Sequence, residues 1–215
     1  MRRWIAGAVL ALMAAGCAAP PQQRTESAPA SIELRVAAIT AAARRSEHEP
    51  DAKVRAELAE DARSEAEACL ASEPQAAACL YGHALALGLE ARSHPAHVGE
   101  WLGKMLEQLA AAEAADPGYD QAGPARVRAL VLTRAPGWPL GPGDPAAAVI
   151  AAQRAVSLRP QYPPNQLALA EALAKSGDAQ AAREAWRRAR DEALAQPAAE
   201  ERDEWLREAD RALSH

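Results

Sequence analysis

Three prolines, Pro74, Pro117 and Pro160, are spaced 43 residues apart, and each closes a segment of the same design. Stepping back from each proline by 12, 8 and 5 residues reaches Ala62, Ala66 and Cys69, then Met105, Leu109 and Ala112, then Ala148, Ala152 and Ala155. Ala182, Trp186 and Ala189 repeat the same four-then-three spacing near the C-terminus, with Leu194 in the proline position. Residues at i, i+4 and i+7 share one face of a helix, and small side chains there let a second helix approach closely. A proline just after the last turn stops the helix. The chain is therefore expected to be all-α, a stack of helix pairs. Composition agrees: aromatic residues make up 4 % of the chain, Phe is absent, and Ala dominates an apolar fraction of 49 %. Ala is the strongest helix former, while the β-branched and aromatic residues that favour strands are scarce.

Apolar periodicity, caps and breakers predict helices over 31–46, 52–71, 75–91, 97–115, 124–134, 145–158, 164–175, 179–195 and 198–213. Asp144-Pro145 is a strong start signal, with Asp as N-cap and Pro in the first turn. Gly177-Asp178 is a tight inter-helix turn, and longer turns are expected at Ser93 to Ala96 and Ala135 to Gly143. The last helix, with its carboxylates around Trp205 and Leu206, suits a polar-faced cap on the stack.

The N-terminus has a different character. Arg2 and Arg3 precede an apolar run from Ile5 to Ala15, and Gly16-Cys17 follows. This is the layout of an export signal, with an apolar run too short to span a bilayer. Met13-Ala14-Ala15-Gly16-Cys17 resembles a bacterial lipobox, with Ala14 where such boxes usually carry Leu. Residues 1–17 are accordingly expected to be a lipoprotein signal ending in Cys17 as the anchor, the alternative being an ordinary secretory signal cleaved near Ala19. Residues 18–30, rich in Pro, Gln and Ser, are expected to form a tether, and 31–215 the helical domain. With Ala18 rather than Asp after the cysteine, the resemblance implies the periplasmic face of the outer membrane.

The repeated unit resembles the tetratricopeptide repeat, a helix-turn-helix with small residues late in its second helix and a terminal proline. About four such repeats with flanking helices are expected. A longer stretch is more particular: Gly123-Pro124-Ala125-Arg126, then Ala135-Pro136-Gly137-Trp138-Pro139, Gly143-Asp144, and Pro160-Gln161-Tyr162-Pro163-Pro164-Asn165. These resemble the T component associated with TRAP transporters, often called TatT, over roughly residues 60–195. Arg128-Ala129 stands where that family usually carries Leu-Gly. The resemblance implies a lipid-anchored adaptor that docks a periplasmic solute-binding protein, forms a homotrimer, and passes or shelters a small organic or lipophilic ligand in a central channel. The alternative reading is a tetratricopeptide scaffold for envelope protein interactions without a ligand.

The candidate partner or ligand residues are Arg126, Trp138, Tyr162, Asn165 and His83. Helical phase puts Arg126 and His83 on the first-helix face, which lines the groove in such stacks. Against a binding role, Arg126 could pair with a neighbouring acidic helix and Asn165 could cap a helix. Trp138 could anchor a partner, although Pro136 and Pro139 favour a loop folded back over its own repeat. Cys69 and Cys79 flank the first repeated turn. They could form a disulfide if exported, or Cys69 could serve as another small packing residue. His94 and His97 lack the further ligands a metal site needs, and neither metal nor cofactor is expected. No phosphate loop, nucleophile elbow or zinc helix is present, so an enzyme is not expected. The net charge of −5, with mixed-sign runs such as Arg187 to Glu192, argues against nucleic acid.

Overall fold

The computed structural model describes residues 31–214, and the expected signal, Cys17 anchor and tether lie outside them. Among the described residues the chain forms nine α-helices and one short 3-10 turn. They are α1 (Ile32–His48), α2 (Ala52–Ser72), α3 (Ala77–Ser93), α4 (Val98–Ala115), α5 (Tyr119–Arg134), α6 (Pro145–Leu158), α7 (Pro163–Ser176), α8 (Ala179–Ala195) and α9 (Glu200–Leu213). Local chemistry explains most boundaries. Ser31, Asp51, Asp144 and Asp178 each accept a backbone N–H of their own first turn. Gly177 ends α7 in the left-handed conformation (φ 95°), which a side chain would resist.

The helices pack in antiparallel-type neighbours, α3 on α4, α5 on α6 and α7 on α8, and each pair stacks on the next. This is a helical-repeat architecture. The odd-numbered helices touch one another along the stack, whereas α2, α4, α6 and α8 do not. The stack therefore curves with the odd row inside, and clefts open between the even helices. An exposed Arg44–Glu201 pair at 3.2 Å joins α1 to α9, so the curvature brings the two ends within side-chain reach.

The small-residue stripes lie at the centre of each pair. Ala66, Cys69, Leu109, Ala112, Ala148, Ala152, Ala155 and Ala182 are all fully buried. Trp186 is half-buried and packs with Trp205 over Leu167, Ala189 and Ala209, closing the C-terminal end. Helix α1 belongs to the stack: Ile39 is fully buried against Ala59, Ala62, Ala66 and Leu89, and Arg35 pairs with Glu65 at 2.6 Å. At the first turn Cys69 and Cys79 are joined by a disulfide, with Cα atoms 5.3 Å apart. The bond links the end of α2 to the start of α3 in place of side-chain packing alone.

The expected helix at 124–134 is extended backwards to Tyr119, because Asp120, Gln121 and Ala122 form a left-handed turn (φ 47°, 56° and 65°) ahead of the regular helix. The expected loop at Ser93 to Ala96 becomes a helix end followed by the 3-10 turn Pro95–His97. Enlarging a stripe position tests the packing. Ala152→Leu should destabilise the fold by about 1–3 kcal/mol, because no space exists at the pair contact. The midpoint of urea unfolding, with unchanged slope, reads that loss.

Candidate functional site

The resemblance residues Arg126, Tyr162 and Asn165 come together between α5 and α7. Arg126 and Asn165 both bind the left-handed turn, and Tyr162 packs against Arg126. The Arg126 guanidinium donates to the carbonyls of Asp120 (3.1 Å) and Gln121 (3.2 Å) and to Oδ1 of Asn165 (3.2 Å). It also pairs with the Asp120 carboxylate at 2.8 Å. Asn165 is fully buried, and its Nδ2 donates to the carbonyls of Gln121, Ala155 and Arg159 at 3.1–3.2 Å. One of its two N–H groups must serve two acceptors. Asn165 thus ties three segments: the strained turn, the end of α6 and the start of α7. It does not cap its own helix. Arg126 finds its carboxylate six residues back in its own segment rather than on a neighbouring helix.

Further groups frame the turn. The Tyr81 hydroxyl of α3 donates to Asp120 Oδ2 at 2.9 Å. Burial raises the Tyr81 pKa strongly, which keeps the phenol neutral and able to donate. Gly123 makes this approach feasible, since a Cβ there would lie 2.7 Å from Asp120 Oδ2 and 2.9 Å from the Tyr81 oxygen. Tyr162 lies under the guanidinium, 5.1 Å from ring centre to Arg126 Cζ, and meets Trp205 of α9 edge-on at 5.7 Å. The network therefore runs from α3 through α5 and α7 to α9. Asp120 and Tyr81 escaped sequence reasoning, which placed Gly123 at a helix start and Trp205 in the capping helix without linking either to this network. Gln121 and Ala122 are poor left-handed residues, so nothing in the sequence announces the turn that recruits them.

The other candidates lie apart from this network. Trp138 is 90 % exposed, contrary to the expected folding back. Pro136 and Gly143 explain its position: the Gly143 N–H donates to the Pro136 carbonyl at 2.9 Å, and a Cβ at Gly143 would collide with the Ala135 carbonyl. The loop is pinched at its base, and Trp138 and Leu140, the latter 72 % exposed, project from its tip. Next to that loop, Val98, Leu102 and Met105 of α4 and Val127, Leu130 and Val131 of α5 line an apolar cleft of about 600 Å³. Pro136 forms part of its wall, and Arg92 and Arg134 supply charge. Arg134 is held by Glu171 through two bonds of 2.8 and 2.7 Å, whereas Arg92 donates to the Glu47 carbonyl at 3.3 Å.

His83 is not on the odd-helix face with Arg126. It lies on the floor of a second cleft, between α2 and α4. The inner row carries charged groups: Arg134–Glu171, Arg44–Glu201, and Glu208, whose carboxyl is pushed above its ordinary range by burial, with Arg134 opposing. The apolar lining lies in the cleft between α3, α4 and α5, which Arg134 of the inner row borders. His94 turns its Nδ1 to Glu90 at 3.1 Å. Among the described residues no group of three or more His, Cys, Asp or Glu side chains is placed to hold a metal, and no helix is long and apolar enough to cross a membrane.

Comparison with protein-family models finds no match for this chain, and comparison with curated proteins finds none either.

Two substitutions test the network with opposite signs. Asn165→Ala should cost about 2–4 kcal/mol, because it leaves buried carbonyls and Arg126 short of partners. Gln121→Gly, at an exposed left-handed position, should raise stability by up to about 1 kcal/mol through relief of the Cβ clash. Denaturant unfolding of both variants reads these shifts.

Proposed function

We propose that the chain is a lipid-anchored, tetratricopeptide-like adaptor at the periplasmic face of the outer membrane, docking a solute-binding protein of a TRAP-type uptake system. It would hold a small organic or lipophilic ligand in the cleft between α3, α4 and α5. The observation that carries this reading is the exposed Trp138 on a proline-braced loop whose Pro136 also walls the apolar cleft. Large aromatic side chains held rigidly at a surface lose little entropy on burial and dominate binding energies. An exposed tryptophan beside a contiguous apolar cleft marks an interaction surface more often than a bare solvent face. The sequence resemblance around Arg126, Trp138, Tyr162 and Asn165 supplies the partner class, and the strained turn that Arg126 and Asn165 clamp would hold the face rigid. Cys17 would carry the lipid.

Affinity capture from the envelope of the native cell, with the full chain as bait, tests the reading. The expected partner is a periplasmic solute-binding protein, and Trp138→Ala should weaken its binding about tenfold or more while leaving thermal unfolding unchanged. Capture of envelope-assembly proteins in its place would favour the scaffold alternative. Undiminished capture of a solute-binding protein by Trp138→Ala would move the docking face elsewhere.

A further inference from the structure

The cleft between α2 and α4 has a chemistry unlike that of the apolar cleft. It encloses about 580 Å³, a volume suited to a small organic molecule, and Ala86 and Leu87 of α3 give it an apolar floor. Its walls carry four carboxylates, those of Glu60, Glu67, Glu90 and Glu107, against two cations, Arg63 and Lys104. The cations are already committed. Arg63 binds Glu60 at 2.6 Å and Glu67 at 2.7 Å and lies 3.5 Å from the buried Glu90, and these bonds raise its pKa further. Lys104 binds Glu100 at 2.7 Å. Among the described residues Glu107 has no ion-pair partner. An anion entering this cleft would meet no available positive group, whereas a cation would find a carboxylate to neutralise.

Two more observations point to a ligand that donates hydrogen bonds. Oε1 of Gln108 and Nδ1 of His83, on two residues that line the cleft, are shielded from solvent and have no hydrogen-bond partner. Such orphaned groups cost free energy unless something satisfies them. Gln108 can turn its amide about a soft terminal torsion to present its oxygen to a donor. The Lys104 ammonium, meanwhile, lies 5.0 Å from the centre of the Trp101 ring. Trp101, Lys104 and Gln108 follow one stripe of α4, so the ring that receives an ammonium stands a turn or two from the unsatisfied amide. Lys104, half exposed on a flexible stem, occupies the position that an external ammonium would take.

We propose that the α2–α4 cleft is a binding site for a small amphipathic amine. Its ammonium would displace Lys104 Nζ from the Trp101 face and donate to Gln108 and Glu107. Its hydrocarbon part would rest on Ala86 and Leu87. The site lies on different helix faces from the Trp138 loop and is independent of the adaptor reading.

Isothermal titration of the full chain with phenethylammonium, and with phenylacetate as the oppositely charged counterpart of the same skeleton, tests the proposal. One saturable site for the amine is expected, with phenylacetate at least about tenfold weaker. Trp101→Leu and Gln108→Leu should each weaken the amine about fivefold or more. Lys104→Ala should tighten it, because the internal competitor is removed, and this exposed variant carries no folding risk. Trp138→Ala should leave it unchanged. Absence of saturable amine binding, equal binding of phenylacetate, or weaker binding by Lys104→Ala would each overturn the site.

Discussion

Two helices can pack with their backbones close together only where neither carries bulk at the crossing, and the rest of this molecule depends on that constraint. Ala66, Ala112, Ala148, Ala152, Ala155 and Ala182 provide it, each fully buried at the centre of a helix contact. Alanine contributes little apolar area per residue, so the stability of such a stack comes from many short-range contacts rather than from a few large side chains. The clusters that do contain bulk, around Ile39, Leu109 and the Trp186–Trp205 contact, lie toward the ends and the middle of the stack.

The left-handed turn at Asp120 to Ala122 interrupts this regularity, and a concentrated polar network holds it. Three successive residues with side chains in that conformation cost several kcal/mol in isolation. Arg126 and Asn165 offset the cost by satisfying the carbonyls that the turn exposes, and Tyr81 fixes the carboxylate that faces Arg126. The same bonds join α3, α5, α6 and α7, so Arg126 and Asn165 also couple the central helix pairs. That frame leaves the loop at Trp138 and the clefts beside α3 open to solvent.

The two clefts beside α3 differ in chemistry. The apolar one, next to Trp138, has aliphatic walls and two guanidiniums at its edge, those of Arg92 and Arg134. The other, between α2 and α4, has surplus carboxylate, an aromatic face and unsatisfied polar atoms. The α2–α4 cleft follows from curvature: the even helices do not touch one another, and the flank of α3 between them is exposed.

Much of the fold was legible in the sequence because helix periodicity, caps and small-residue stripes act over a few residues. The bounds of α6 and α8, Pro145–Leu158 and Ala179–Ala195, follow directly from Asp144-Pro145 and Gly177-Asp178. The site was legible only in part. Arg126, Tyr162 and Asn165 could be singled out, but their convergence on a backbone turn depends on strain in Gln121 and Ala122, which have no local preference for it. Helical phase misplaced His83, since which face of α3 meets α2 and α4 is decided by how the pairs stack. Proline content suggested that Trp138 folds inward, yet the pinch at Gly143 turns it outward. The sequence by itself determined the helices and the stripes on which they pair. Only the tertiary structure decided which polar groups meet and which faces stay open, because those depend on contacts between residues tens of positions apart and on the curvature of the whole stack.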